Sequence, residues 1–304
     1  MTTTRHVEIV EVGPRDGLQN EPTVVPAAVK IEFINRAAAA GLRRIEVASF
    51  VNPRRVPQMA DAEQVLAALP RRDGLHYVGL VLNRAGFDRA AAAGCGEIGM
   101  AVFTTDSFNQ RNQGTTSAGS IRAWREIAAA AQAAGIRAQI TISAAFGCPF
   151  EGEVAPSRVV EIARELAEGA PFELALADTI GVGVPSQVTD LFGRVADALP
   201  GMSLRGHFHN TRNTGLANAY AAVEAGARVL DASLGGLGGC PFAPAATGNI
   251  PTEDLLYMLG RMAIETGVDL DAAIATARWV EQQIGHTVPG MLVKAGPFPE
   301  RMRT

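Results

Sequence analysis

Short apolar runs alternate along this chain with longer runs whose apolar residues recur at helical spacing. The short runs fall at residues 7–12, 44–48, 77–82, 97–103, 138–143, 173–177, 203–208 and 229–233. They do not alternate polar with apolar as a half-wet strand does. They therefore predict strands buried on both faces. The longer, Ala-rich runs predict helices at about 26–40, 61–68, 84–93, 120–134, 156–168, 185–199, 214–225 and 252–266. Gly41, Gly94, Gly135 and Gly226 sit where a left-handed residue stops a helix. Pro26, Pro156 and Pro185 sit where a first turn tolerates a missing N–H.

Strict strand–helix alternation predicts a parallel sheet joined by right-handed crossovers. Eight such units favour a closed (β/α)8 TIM barrel over an open sheet. The expected organisation of residues 1–304 is one domain. Its barrel spans about 7–267, and a short C-terminal helical extension at about 268–304 carries a helix near 272–283.

Composition narrows the class. The chain has 304 residues, 47% hydrophobic and 19% charged, with a net charge of -4 and no run of Lys or Arg. Neither nucleic acid nor an anionic membrane surface is an expected partner. No apolar stretch is long enough to suggest a membrane span, and residues 1–6 have no apolar signal region. Cys95, Cys148 and Cys240 are far apart and odd in number, which favours reduced thiols and a cytoplasmic location.

The candidate chemistry lies where a TIM barrel keeps its active site, at the C-terminal strand ends. His207 and His209 are i and i+2 on one strand, so they face the same way. Two convergent imidazoles suit a metal, and two hydrogen-bonded structural histidines are the alternative. Asp16, after the first strand, is a candidate carboxylate ligand, or else a turn-former before Gly17. Asn249 offers a side-chain oxygen. Mixed nitrogen and oxygen ligation with open positions suits Mg or Mn, with Zn and Fe(II) as alternatives.

Glu46 lies inside an apolar strand, where a lone carboxylate needs a partner, and Arg15 one strand over is a suitable one. The alternative places Glu46 toward the helices, half-exposed. The Gly-rich segment ending at Cys240 fits either a thiol in proton transfer or a small buried hydrophobe. It lacks the Lys-Ser/Thr of a P-loop.

Several strings together resemble the 3-hydroxy-3-methylglutaryl-CoA lyase family of TIM-barrel metallolyases. They are Val-Gly-Pro-Arg-Asp-Gly-Leu-Gln-Asn-Glu at 12–21, Ser-Phe-Val-Asn-Pro at 49–53 and Val-Pro-Gln-Met at 56–59. Gly-Cys-Pro-Phe-Glu-Gly at 147–152, Asp-Thr-Ile-Gly-Val-Gly at 178–183 and Gly-Leu-Gly-Gly-Cys-Pro-Phe at 236–242, with Gly-Asn at 248–249 and Thr-Glu-Asp at 252–254, complete the set. The resemblance implies a divalent metal on Asp16, His207, His209 and Asn249, and Arg15 as the stabiliser of a thioester enolate. It implies that Glu46 supports Arg15, that Asp178 and His207 move protons, and that Cys240 protonates the product from a mobile loop. Gln19, Ser49 and Arg212 would contact substrate, and Glu253 and Asp254 would brace the loop. A coenzyme A thioester would be the substrate, and a homodimer or higher homo-oligomer the assembly.

One string departs from the family pattern. Residues 207–214 read His-Phe-His-Asn-Thr-Arg-Asn-Thr, where the family resembles His-Cys-His-Asp-Thr-Tyr-Gly-Gln. A carboxylate next to the histidines is lost and a cation, Arg212, is gained. The expected reaction is retro-Claisen cleavage of 3-hydroxy-3-methylglutaryl-CoA to acetyl-CoA and acetoacetate. A related citramalyl-CoA-like thioester, a metal-dependent 2-oxo acid aldolase and a catalytically silent binding protein are the alternatives.

Overall fold

The computed structural model describes residues 5–239 and 248–298. The strands, in chain order, are β1 (Arg5–His6), β2 (Glu8–Glu11), β3 (Arg44–Ser49), β4 (His76–Leu80), β5 (Glu97–Phe103) and β6 (Arg137–Ser143). β7 (Leu174–Asp178), β8 (Leu204–Phe208), β9 (Val229–Ala232) and β10 (Ile264–Glu265) follow. β2 to β9 are parallel and close into a barrel in sequence order, with β9 pairing back onto β2. The fold is the expected (β/α)8 barrel. Outside it, β1 and β10 form a two-stranded parallel pair.

The helices form the outer ring. They are α1 (Ala27–Ala39), α2 (Ala62–Ala68), α3 (Arg84–Ala92), α4 (Asp106–Gln113), α5 (Ser117–Ala134) and α6 (Pro156–Ala167). α7 (Pro185–Ala198), α8 (Gly215–Glu224), α9 (Thr252–Arg261), α10 (Leu270–Ile284) and α11 (Met291–Ala295) complete the ring and the C-terminal extension. The apolar core lies between strands and helices. Trp124 of α5 is fully buried there, and its indole N–H is satisfied by the carbonyl of Leu166 at 2.8 Å. Among the described residues, no helix is long and apolar enough to cross a membrane.

The four expected stop glycines all have positive φ, from +66° to +105°. At Gly41 the need is also steric, because a Cβ there would stand 2.5 Å from the carbonyl oxygen of Gly267. Pro156 and Pro185 occupy first turns as expected, whereas Pro26 is the capping residue just before α1. α9 ends at Arg261 rather than at 266, because the chain turns there to supply β10. α10 packs along α1 and α9, so the extension lies on the flank of its own barrel.

TIM-barrel interiors are usually filled by branched apolar side chains. Here the floor is an ion-pair network. Arg44 Nη2 lies 2.7 Å from Glu97 Oε1 and 3.0 Å from Glu173 Oε1, and Arg205 Nη1 lies 3.3 Å from the same Glu173 oxygen. All four residues are buried. Burial of charge is tolerable only because each has partners.

Candidate active site

The chain leaves β2 through a tight turn, Gly13–Gly17, in which the N–H groups of Arg15, Asp16 and Gly17 converge on the carbonyl of Val12. Glu11 anchors this turn from below. Its Oε1 accepts the N–H of Gly13 and of Leu234, each at 2.9 Å, and its Oε2 accepts the Thr252 hydroxyl at 2.7 Å. The turn thereby presents Arg15 and Asp16 to the barrel mouth. Arg15 Nη1 bonds Asp16 Oδ1 at 2.7 Å, and Arg15 Nη2 bonds Glu46 Oε2 at 2.5 Å. The partnership expected for Glu46 is therefore formed. Burial would raise the Asp16 carboxyl, but Arg15 and the two histidines override it and bring it down to about 2. At Glu46 burial prevails over Arg15 and the carboxyl stands above its ordinary value.

β8 ends at Phe208, whose ring points outward into the core beside Phe146 and Phe192. Its neighbours His207 and His209 share the opposite side, with ring centroids 5.2 Å apart. His207 Nδ1 lies 2.9 Å from Asp231 Oδ2. An antiparallel bridge sets His209 against Asn249. Asn249 Nδ2 donates to Asp16 Oδ2 at 2.8 Å and to the carbonyl of Leu237. Asp16, His207 and His209 each offer a ligand atom, and these atoms all lie within 4.8 Å of one another.

Two features of this cluster fit a cation. His209 Nδ1 and Asn249 Oδ1 are buried with no hydrogen-bond partner. Buried polar atoms are rarely left so, and a bound ion is one ordinary reason. Burial, followed by the neighbouring His207, pushes His209 down to about 4, so its ring is neutral and able to ligate.

A cavity of about 830 Å³ opens over the cluster and reaches outward past Gln19, Asn20, Asn52, Arg55 and Arg111. Arg15, Asp16, Glu46, His207 and His209 wall it, as does Gln19. Three other residues expected to contact substrate or move protons do not. Asp178 is buried, and its two oxygens accept the N–H groups of Val182 and Gly183, each at 2.9 Å. Thr179, the next residue, lines the cavity in its place. Ser49 is buried at the end of β3, off the wall. Arg212 is exposed, and its guanidinium donates to the carbonyls of Ile180 and Gly181. An Arg tied to backbone carbonyls at the rim staples two loops together.

The bracing residues divide the work. Glu253 Oε2 accepts the N–H of Gly235 at 3.0 Å, at the base of the Gly-rich segment, and burial pushes its carboxyl up to about 8. Asp254 instead accepts the N–H groups of Met291 and Leu292, holding the start of α11. Cys240 falls outside the described residues. Cys148 is buried 3.1 Å from the Thr105 hydroxyl, beside Phe103 and Phe108. Burial raises the Cys95 thiol to about 11, as suits a structural cysteine. Glu11 and Asp231 are absent from the residues picked out by sequence. Asp231 is a lone carboxylate inside an apolar strand, the same signal that singles out Glu46, whereas Glu11 shares its strand with Glu8.

The chain matches the HMGL-like family model over residues 6–280. It is 44% identical to an (R)-citramalyl-CoA lyase of Chloroflexus aurantiacus, over 97% of this chain and 96% of that one. It is 43% identical to a hydroxymethylglutaryl-CoA lyase of Pseudomonas mevalonii, over 92% and 93%. Among solved structures it matches an HMG-CoA lyase from Acinetobacter baumannii in complex with coenzyme A and 3-methylmalate. That match has a TM-score of 0.94 and 40% identity, and covers 99% of this chain and 98% of the other. The chain therefore belongs to the HMGL-like family of carbon–carbon lyases.

Proposed function

We propose that the chain cleaves 3-hydroxy-3-methylglutaryl-CoA to acetyl-CoA and acetoacetate. One observation carries the reading: Arg15, salt-bridged to Asp16 and Glu46, stands beside a three-residue ligand cluster on a cavity wall. Asp16, His207, His209 and Asn249 would hold the divalent cation, with Mg or Mn favoured by the mixed oxygen and nitrogen donors. When bound there, the cation supplies Lewis acidity that lowers the pKa of the substrate 3-hydroxyl.

The protein's own groups do the rest. The hydroxyl proton leaves to a base, and the bond between C2 and C3 breaks as the C3 oxygen becomes a ketone. The electron pair of that bond forms the thioester enolate, which takes a proton at C2 to give acetyl-CoA. Asp178 has both oxygens engaged by backbone N–H groups, so it holds the turn that carries Thr179. Glu46 is a cavity-wall carboxylate outside the ligand set, paired to Arg15, and burial has raised it toward the basicity a proton acceptor needs. Arg15 faces the enolate oxygen. Its Nε is buried and has no acceptor, so a donor is held ready for developing negative charge. Cys240 is assigned the final protonation. The outer cavity residues Asn52, Arg55 and Arg111 suit the polar coenzyme A portion.

Arg15→Gln should lower kcat by about 10²–10³-fold, as loss of a preorganised oxyanion donor does. Turnover within a factor of a few of the parent would remove Arg15 from the mechanism. Chelation should abolish cleavage and Mg or Mn should restore it; full activity in the metal-free protein would end the metal assignment.

A second reading is supported by the citramalyl-CoA lyase relative, which is as similar as the hydroxymethylglutaryl-CoA lyase. Citramalyl-CoA would break at the same bond by the same steps and yield acetyl-CoA and pyruvate. Comparing kcat/KM for the two thioesters decides between them. Homo-oligomeric assembly and a cytoplasmic location belong to the same proposal, and light scattering tests the first.

A further inference from the structure

We infer that Asp231 is a positioning residue: it sets the ring orientation and tautomer of His207, and the ion pairs beneath it hold it in place to do so. The inference rests on the metal reading above and extends it to a residue outside the ligand set.

β8 and β9 are neighbours, and their register places His207 directly opposite Asp231. Asp231 is buried, and its Oδ2 lies 2.9 Å from His207 Nδ1. An ionised carboxylate only accepts hydrogen bonds, so Nδ1 must carry the hydrogen. In the neutral ring Nε2 then has the only lone pair to give. A carboxylate behind a ligating histidine is a common outer-shell device, which fixes the tautomer and raises the basicity of the ligand.

Asp231 is itself restrained. Its Oδ1 lies 3.4 Å from Arg205 Nε. Arg205 reaches on to Gln139, to Thr141 Oγ1 at 3.3 Å and to Glu173 Oε1 at 3.3 Å. Glu173 is bound by Arg44, which also binds Glu97. A continuous chain of buried polar contacts thus runs from the mouth histidine to the barrel floor. Its link to Asp231 is an ion pair without a hydrogen bond, since Arg205 Nε and Asp231 Oδ1 both lack a hydrogen-bond partner. His209 differs, because its Nδ1 is buried without any hydrogen-bond partner. The two histidines are therefore not equivalent: one ring is aimed by a carboxylate, the other by packing and by its bridge to Asn249.

A purely structural role for Asp231 would be to balance Arg205. That role predicts a loss of stability in Asp231→Asn with no change in metal binding. Positioning predicts that Mn2+, followed by electron paramagnetic resonance, binds the variant about 10–100-fold more weakly than the parent. The thermal midpoint should stay within a few degrees. Parent and variant binding Mn2+ within twofold of each other would overturn the inference while leaving the metal reading intact. A parent that binds no Mn2+ would overturn both. The second measurement needs no variant. Histidine 15N NMR of the metal-free parent at pH 9 should show His207 protonated at Nδ1, and protonation at Nε2 instead would sink the proposal even if Asp231→Asn does not fold.

Discussion

At the scale of single residues, one buried carboxylate ties together three segments that must meet for the site to exist. Glu11 bonds the turn carrying Arg15 and Asp16, the segment at Leu234, and the start of α9 at Thr252. Glu11→Ala strands two N–H groups and a hydroxyl in the interior, each worth about 1–3 kcal/mol when left unsatisfied. The variant should lose roughly 3 kcal/mol or more on that scale. It should also lose turnover, because the turn is no longer pinned. Denaturant unfolding and kcat read the two effects, and a fully active variant within 1 kcal/mol or so of the parent, below even one stranded group, contradicts the bracing role. Sequence alone makes Glu11, Glu46 and Asp231 look alike, each an acid flanked by apolar residues within a strand run. What separates them is the tertiary partner: Arg15 in the turn after β2 for Glu46, Thr252 at the start of α9 for Glu11, and His207 and Arg205 on β8 for Asp231. The partners of Asp231 are fixed by the β8–β9 register and that of Glu11 by the docking of α9, which no local string carries, whereas the Arg15 partner of Glu46 follows from strand order. Asp178 shows the converse. Its place at a strand end is readable, yet the turn after it supplies two N–H donors that occupy its carboxylate.

Elements with strong periodicity were readable and polar ones were not. The barrel strands and the Ala-rich helices follow the apolar pattern closely. α4, Asp-Ser-Phe-Asn-Gln-Arg-Asn-Gln, has almost no apolar residues, and propensity alone would not make it a helix. It forms because tertiary contacts support it. Phe108 is buried against Phe103, and the buried amide of Asn109 bonds the carbonyls of Phe103 and Thr105 and the hydroxyl of Ser117. The opposite case is the end of α1, where the sequence signal and the steric demand agree. Gly41→Ala forces a Cβ into a left-handed backbone at φ +105° and to within 2.5 Å of the Gly267 carbonyl oxygen. Backbone strain of this kind costs about 1–3 kcal/mol before any clash is counted. The clash falls on the segment leading into α10, so the extension should loosen from α1. Hydrogen exchange should quicken in α10 while barrel strands keep their protection; unchanged exchange and stability would show that the contact is slack.

For the molecule as a whole, buried acids couple stability to pH, and Glu253 gives the cleanest handle. Its carboxyl is fully buried, its Oε1 lacks a partner, and its folded pKa is about 8 against an ordinary 4.5. Between those values the folded state holds a proton that the unfolded chain has released. Stability therefore falls as pH rises through this window, and levels off above the folded value. The sign is opposite to that of the usual salt-bridged carboxylate. Other groups titrate over the same range, so the parent curve alone does not isolate Glu253. Glu253→Gln does, because an amide copies the neutral acid and can still accept the N–H of Gly235. Near pH 4.5, where the folded acid is protonated and the unfolded one still about half so, parent and variant should melt within a degree or two of each other. By pH 9 the parent should have lost several degrees relative to the variant, since about 1 kcal/mol shifts a protein of this size by roughly 2 °C. The measurement is the difference between two melting curves at each pH. A difference that stays flat from pH 6 to 9 would mean that Glu253 is ionised in the folded protein throughout. Its bond to Gly235 would then be a charged one, and the base of the Gly-rich segment would be held independently of pH.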